Sequence, residues 1–392
     1  MEIYPFFIIL AIYLLGYISL VNILLLYIAF CLYTYFKADT ELIYNKESKV
    51  INEIVSKMEK HKYKPNIFFP ACILQTLVHP LISFPDIFKF RREKINDFGT
   101  NLDWVESTKD IPRKRKSFNN KRILFILPGL TGSATDPYIS NICYEAIVNN
   151  YTPIVYQYRL LSDTLKFKDE GFYCLTEDID EAITYLENKC PVYDIYAVGH
   201  SYGANNIINF LAKRNCKKVN GKKQKRIQAA ASVACGFNFA YIENKIRDGL
   251  YCQILTSLLQ NQLKESFIKN NVKVPKHMDL NVEKALTVTR FRDFDDCITS
   301  KTMGYKNVDD YYYEVGSYKN VHKVSIPLLC LNARDDAIAL HSAIPIDDCI
   351  NNKNVLLMMT TYGGHISWID NQSLFALKQW HPKVVMDFLN NA

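Results

Sequence analysis

A chain of 392 residues with 49% apolar side chains is long enough to bury a sizeable core, as one large α/β domain with insertions or as two domains. The 47 Lys+Arg against 40 Asp+Glu leave +7, gathered in Arg113–Lys116 and residues 213–226 without interleaved aromatics, which argues against nucleic acid as a partner. The 11 cysteines form no C-x-x-C pair and no metal-ligand spacing, which argues against a disulfide framework or metal centre and for a reducing compartment. Each basic cluster reads as a solvated loop, with anionic headgroups beside a membrane as the alternative. Cys235 and Cys330 lie inside apolar runs, as small core residues do.

In chain order, residues 4–36 carry no charged side chain, and only Ser19, Asn22 and Thr34 interrupt with short polar groups. A span needs about 20 apolar residues, so this stretch predicts a transmembrane anchor with room for tilt. A cleaved signal peptide has a shorter apolar core behind basic residues, whereas here Glu2 alone precedes it. Lys37, Lys46, Lys49, Lys57 and Lys60 follow the stretch, and the positive-inside rule then keeps the body of a single-pass protein cytosolic. Residues 37–85 read as an amphipathic linking region. Within it, Leu42, Ile43, Val50, Ile51, Ile54 and Met58 predict a helix over 41–60, packed on the body or at the membrane surface.

From residue 86 to 392 the pattern predicts one domain. Strands over 88–94 and 101–106 flank a turn at 96–100. An alternating rhythm follows: strand 122–127, helix 138–149, strand 152–158, helix 176–188, a strand through 195–198, a helix from 204, and strand 229–235. Near-continuous apolar strands separated by helices imply a mostly parallel sheet covered on both faces. The rhythm pauses over 236–325, where helices at 241–261, 282–291 and 308–315 predict an insertion above the sheet, acting as a lid. Strands 327–332 and 354–360 and a helix at 374–389 close the chain.

The chemistry gathers at strand ends. Gly199-His200-Ser201-Tyr202-Gly203 stands where the period switches from strand to helix, with Ala204, Ile207, Ile208 and Leu211 at helical spacing after it. G-x-S-x-G in that setting predicts a strained elbow exposing a nucleophilic Ser201. Its base and orienting carboxylate are expected at later strand ends in the order Ser, Asp, His. His365, in Tyr362-Gly363-Gly364-His365, follows the strand at 354–360, and Arg334-Asp335-Asp336 follows that at 327–332. Asp336, one step further onto its loop, is the predicted acid, and Asp335 remains the alternative. His200 reads as structural. Pro128-Gly129-Leu130-Thr131-Gly132-Ser133 follows the first parallel strand, so the N–H groups of Leu130 and Tyr202 are the predicted oxyanion donors. A phosphate cradle is the other use of such a turn, but no P-loop lysine follows it.

These residues resemble the membrane-anchored α/β-hydrolases of the ABHD1/2/3 group, with their bacterial YheT-like and yeast ethyl-ester-forming relatives, from roughly residue 63 to the C-terminus. Beside the strand-end motifs, the resemblance rests on Phe90-Arg91-Arg92-Glu93, Asp103-Trp104, Arg292-Asp293-Phe294-Asp295, Gly304-Tyr305, Asp309-Asp310-Tyr311-Tyr312 and the run from Pro327 to Ala333. Two positions depart from the group's pattern: Ala337 replaces a proline after the paired aspartates, and Pro128 replaces a histidine before the oxyanion glycine.

The resemblance implies an α/β-hydrolase fold with one N-terminal anchor and a Ser–Asp–His lipid esterase. It also implies a lumenal body, against the charge argument. Because anchoring saves a lipid from leaving the bilayer, a glycerolipid or phospholipid is the expected substrate, and no cofactor is expected. Phe291, Tyr305 and Leu258 are expected to line an acyl pocket. Two other functions fit the same site: acyl transfer to an alcohol, and non-catalytic lipid sensing on a hydrolase fold.

Overall fold

The computed structural model describes residues 16, 19–70, 72–78, 87–96, 99–113, 121–159, 176–219, 222–246, 249, 253–254, 256–261, 264–265, 280–370 and 378–392. Most of the predicted anchor before Ser19, the basic run after Arg113 and the start of the predicted helix at 374–389 lie outside them.

Helix α1, Leu20–Lys37, opens at Ser19, whose hydroxyl accepts the Asn22 N–H. Its outer face is apolar and exposed from Leu20 to Phe36, and only Cys31 and Thr34 are buried. Among the described residues it is the one helix long and apolar enough to cross a membrane.

The chain then departs from the expected helix over 41–60. Thr40–Tyr44 is strand β1, and helix α2 is confined to Lys49–Lys57, capped by Ser48. The stripe from Leu42 to Met58 merged two elements, because the half-buried edge strand places Leu42 and Ile43 on opposite faces, where a helix would put both on one side. α2 packs on the body through Ile51 and Ile54, both buried.

β1 borders a nine-stranded sheet. Its further strands are β2 (Phe88–Lys94), β3 (Asn101–Ser107), β4 (Arg122–Leu127), β5 (Tyr151–Gln157), β6 (Asp194–His200), β9 (Ile227–Val233), β10 (Leu328–Ala333) and β11 (Val355–Thr360). The order is β1-β11-β10-β9-β6-β4-β5-β3-β2. The six strands from β11 to β5 run parallel, and β1, β3 and β2 each pair antiparallel to a neighbour.

β4 shows why apolar runs form this sheet: Phe125 and Leu127 face one core, Leu124 and Ile126 the other. The first core is closed by α5 (Thr176–Lys189) and α6 (Tyr202–Lys213) through Ile179, Ile183, Ile207 and Phe210. The second is closed by α4 (Pro137–Val148) and α10 (His381–Asn391) through Ile139, Ile142, Val384 and Phe388. A short α3, Cys72–Val78, lies beside the loop after β11.

Within residues 213–226, expected as a loop, two short strands pair instead. β7 (Cys216–Val219) pairs antiparallel with β8 (Lys222–Lys225). Its following residue Arg226 is buried, paired with Asp180 and with Glu187 at 3.3 Å, so this arginine belongs to the fold and not to the solvated charge.

Between β9 and β10 the described segments are helical. α7 (Phe239–Ile246) is followed by Val282–Ala285, Phe291–Phe294, a π turn at Asp295–Thr299, α8 (Val308–Val315) and short turns. The helix expected over 282–291 is therefore two pieces with a turn between them. After β10, α9 (Ile346–Asn351) leads into β11.

Candidate active site

β6 runs straight into α6, and Ser201 makes the turn between them with φ 53° and ψ −112°. A non-glycine residue there is strained, and the neighbours hold it in place. The Ser201 N–H donates to the Val233 carbonyl at 2.8 Å. A Cβ on Gly199 would run into the Gly203 backbone, and one on Gly203 into the carbonyl oxygens of Leu127 and Pro128. The two glycines therefore let strand, helix and the loop after β4 meet closely enough to present the hydroxyl.

The loop after β11 carries His365 to that hydroxyl. Its Nε2 lies 2.9 Å from Ser201 Oγ, across 164 residues of chain. Gly364, at φ 62°, presses the loop against α3, and the His365 N–H donates to Thr76 Oγ1 at 3.1 Å. Nδ1 of His365 lies 2.8 Å from Asp336 Oδ2. Asp336 is itself held, its Oδ1 accepting the N–H groups of Ile338 and Ala339 at 2.8 Å each. Asp335 turns elsewhere and accepts the Gly364 N–H at 3.0 Å. His200 is buried and does not line the cavity; it packs edge-on to Tyr138 and His381.

Leu130 and Tyr202 both border the cavity above Ser201. The loop of Leu130 is fixed from two sides: Gly129 N–H donates to Tyr138 Oη at 2.9 Å, and Tyr158 OH donates to the Pro128 carbonyl at 2.6 Å. Tyr202 opens α6, where backbone N–H groups and the positive end of the helix dipole gather beside Ser201.

The cavity holds about 380 Å³ and its walls are mostly apolar, with Ile242, Ile246, Ile254, Leu258 and Phe291 contributed by the segments between β9 and β10. Phe291 and Leu258 lie where the sequence put them; Tyr305 packs on Tyr311 instead of reaching the cavity. Three carboxylates also face it, Asp136, Glu243 and Asp295. Burial pushes the Asp295 carboxyl up to about 7, against the nearby Thr299 hydroxyl, the hydrogen bond from Tyr312 and the Arg292 charge. Asp295 stands in the sequence only as the end of the Arg292–Asp295 run that carries the resemblance, with no role attached to it. Asp136, Glu243, Thr76, Tyr138 and Tyr158 reach the site by tertiary packing, so no local motif announces them. Among the described residues no group of three His, Cys, Asp or Glu side chains converges as metal ligands.

A parallel sheet in this order, with a strained serine at its central strand end and a histidine loop from its last strand above it, is the α/β-hydrolase arrangement. No family model matches the chain. Phospholipase ABHD3 of Bos taurus is 29% identical over 316 residues, covering 79% of this chain and 73% of its own. A monoacylglycerol lipase of Saccharomyces cerevisiae is 28% identical, covering 70% of this chain and 60% of its own. The putative esterase YheT of Escherichia coli is 24% identical, covering 86% and 95%. The chain thus matches the ABHD1/2/3 and YheT-like group over most of its length.

Proposed function

We propose that this chain is a carboxylic ester hydrolase acting on lipid esters, with Ser201 as nucleophile, His365 as base and Asp336 as the carboxylate that orients it. The continuous chain of polar contacts from Ser201 Oγ through both nitrogens of His365 to Asp336 carries the proposal. His365 Nε2 takes the Ser201 proton as Oγ attacks the ester carbonyl, and the oxyanion forms beside the Leu130 and Tyr202 N–H groups. His365 returns the proton to the departing alcohol, leaving an acyl-enzyme. Water, deprotonated by the same imidazole, then releases the acid. Asp336 keeps Nδ1 as the protonated nitrogen and stabilises the imidazolium.

Three observations favour a lipid as the ester. The cavity walls are mostly apolar, α1 is an apolar helix of membrane-spanning length, and the phospholipase and monoacylglycerol lipase names belong to relatives at 28–29% identity. A glycerolipid or phospholipid is the proposed class. The test is labelling by a fluorophosphonate probe together with release of fatty acid from lipid esters in a screen with and without added alcohol. Labelling and hydrolysis lost in Ser201→Ala are the expected result. Labelling that persists in the variant overturns the nucleophile, and ester formation outpacing hydrolysis when alcohol is present assigns acyl transfer instead.

A further inference from the structure

α1 leaves the body at the same end of the sheet as Ser201. Only Ala38 and Asp39 separate it from β1, and Thr40, the first residue of β1, pairs with Thr360, the last of β11. Asp39 and Thr361 extend the pairing: the Thr361 N–H donates to the Asp39 carbonyl at 3.0 Å, and the Asp39 N–H to Thr361 Oγ1 at 3.1 Å. The loop that starts at Thr361 is the one that carries His365.

The helix is also tied to the body. Lys64 Nζ donates to the carbonyls of Tyr35 and Ala38 at 3.0 and 2.8 Å, and Tyr27 OH donates to that of Phe68 at 2.6 Å. The segment making these bonds leads into α3, whose Thr76 receives the His365 N–H and lines the cavity. One continuous stretch therefore touches α1 at its start and the active-site loop at its end.

The exposed surface agrees. Ile254 and Leu258 line the cavity yet stay 39% and 46% exposed, and Phe68, beside α1, is 45% exposed. Apolar groups this open to solvent, in a chain that also carries a helix of spanning length, fit a hydrocarbon environment better than water. The basic hairpin lies at the other end of the sheet: β8 is followed, after Arg226, by Ile227, the first residue of β9, whose partner Ile195 stands near the start of β6.

We infer that the face bearing the cavity mouth lies against the leaflet into which α1 inserts, so that a lipid ester passes from the bilayer into the cavity alongside Phe68 without entering water. The basic hairpin then points into the aqueous phase, away from the headgroups. The occupant of this face is the bilayer and not a protein, because α1 leaves from the same end of the body. The inference takes its substrate from the proposed function, but its geometry does not depend on the reaction.

The test uses the full chain reconstituted in dioleoylphosphatidylcholine vesicles containing radiolabelled lipid, with p-benzoylphenylalanine replacing either Phe68 or Val192. Val192 is 64% exposed and precedes β6 at the opposite end of the sheet. Illumination is expected to attach lipid at position 68 at least tenfold more than at 192. Equal labelling, or more at 192, overturns the orientation. In parallel, Phe68→Asp is expected to lower hydrolysis of a vesicle-embedded ester about tenfold, with hydrolysis of soluble p-nitrophenyl acetate kept within twofold. Unchanged hydrolysis of both esters overturns the entry route; equal losses on both assign Phe68 to folding, and the crosslinking comparison alone then decides. A wild-type chain that crosslinks as expected but cleaves neither ester keeps the orientation and removes the hydrolase reading.

Discussion

Asp336 Oδ2 stands 2.8 Å from Nδ1 of His365, while the adjacent Asp335 bonds the backbone of Gly364 and not the imidazole. The two aspartates are therefore separable by mutation. Asp336→Asn removes the acceptor that holds the tautomer and stabilises the imidazolium, and turnover should fall by about 10⁴. Asp335→Asn keeps an oxygen for the Gly364 N–H and should cost about tenfold or less. Turnover on a soluble ester, compared at matched melting temperature, checks both; a silent Asp335→Asn with a mild Asp336→Asn would move the acid back by one residue.

Thr76 supports His365 from its backbone, since its hydroxyl accepts that residue's N–H at 3.1 Å. Thr76→Val removes one hydrogen bond, on the order of 1 kcal/mol, and should lower kcat about fivefold with KM within twofold. Thr76→Ser should restore kcat. Loss of melting temperature in place of kcat, unrescued by serine, would make Thr76 a packing residue only.

Gly203 and Gly129 flank the serine with different tolerances. A Cβ at 203 meets the backbone carbonyls of Leu127 and Pro128, which cannot move without displacing β4. Gly203→Ala should destabilise by at least about 1–3 kcal/mol, read as a drop in melting temperature or a loss of soluble protein. At Gly129 the nearest atom is Tyr138 Oη at 3.5 Å, so Gly129→Ala should fold with near wild-type stability.

Asp295 predicts a pH signature. Its folded carboxyl titrates near 7 against an ordinary 3.8, because burial penalises the charge more than Thr299, Tyr312 and Arg292 relieve it, and nearby Glu243 adds to the penalty. A raised carboxyl means that the folded state holds the proton longer. Its stability contribution is complete below about pH 4 and is lost as pH rises through 7. Asp295→Asn should therefore flatten the fall in melting temperature between about pH 4 and 7. An unchanged slope would show that another group sets it.

Removal of residues 1–37 should release the body from membranes extracted with alkaline carbonate. With a cytosolic body, protease added to intact microsomes should digest it, and the sequon at Asn150 should carry no glycan; the second sequon, at Asn371, lies outside the described residues. Protection from that protease would put the body in the lumen.

Much of this protein is local in origin and was legible for that reason. The sequence determined a strand, a tight turn at Ser201 and a helix within twenty residues, because alternating and helical periodicities act over a few neighbours. The buried strands β4, β6, β10 and β11 announced themselves as apolar runs for the same reason. The tertiary structure decided what depended on long closures. Whether Asp335 or Asp336 meets His365 rests on how two loops, each following a different strand, cross above the sheet. Thr76 reaches His365 from 289 residues away, and β1 joins β11 from more than 300. A half-buried edge strand and a hydroxyl on a short helix are chosen by their distant partners, and the residues around them in the chain carry no trace of that choice.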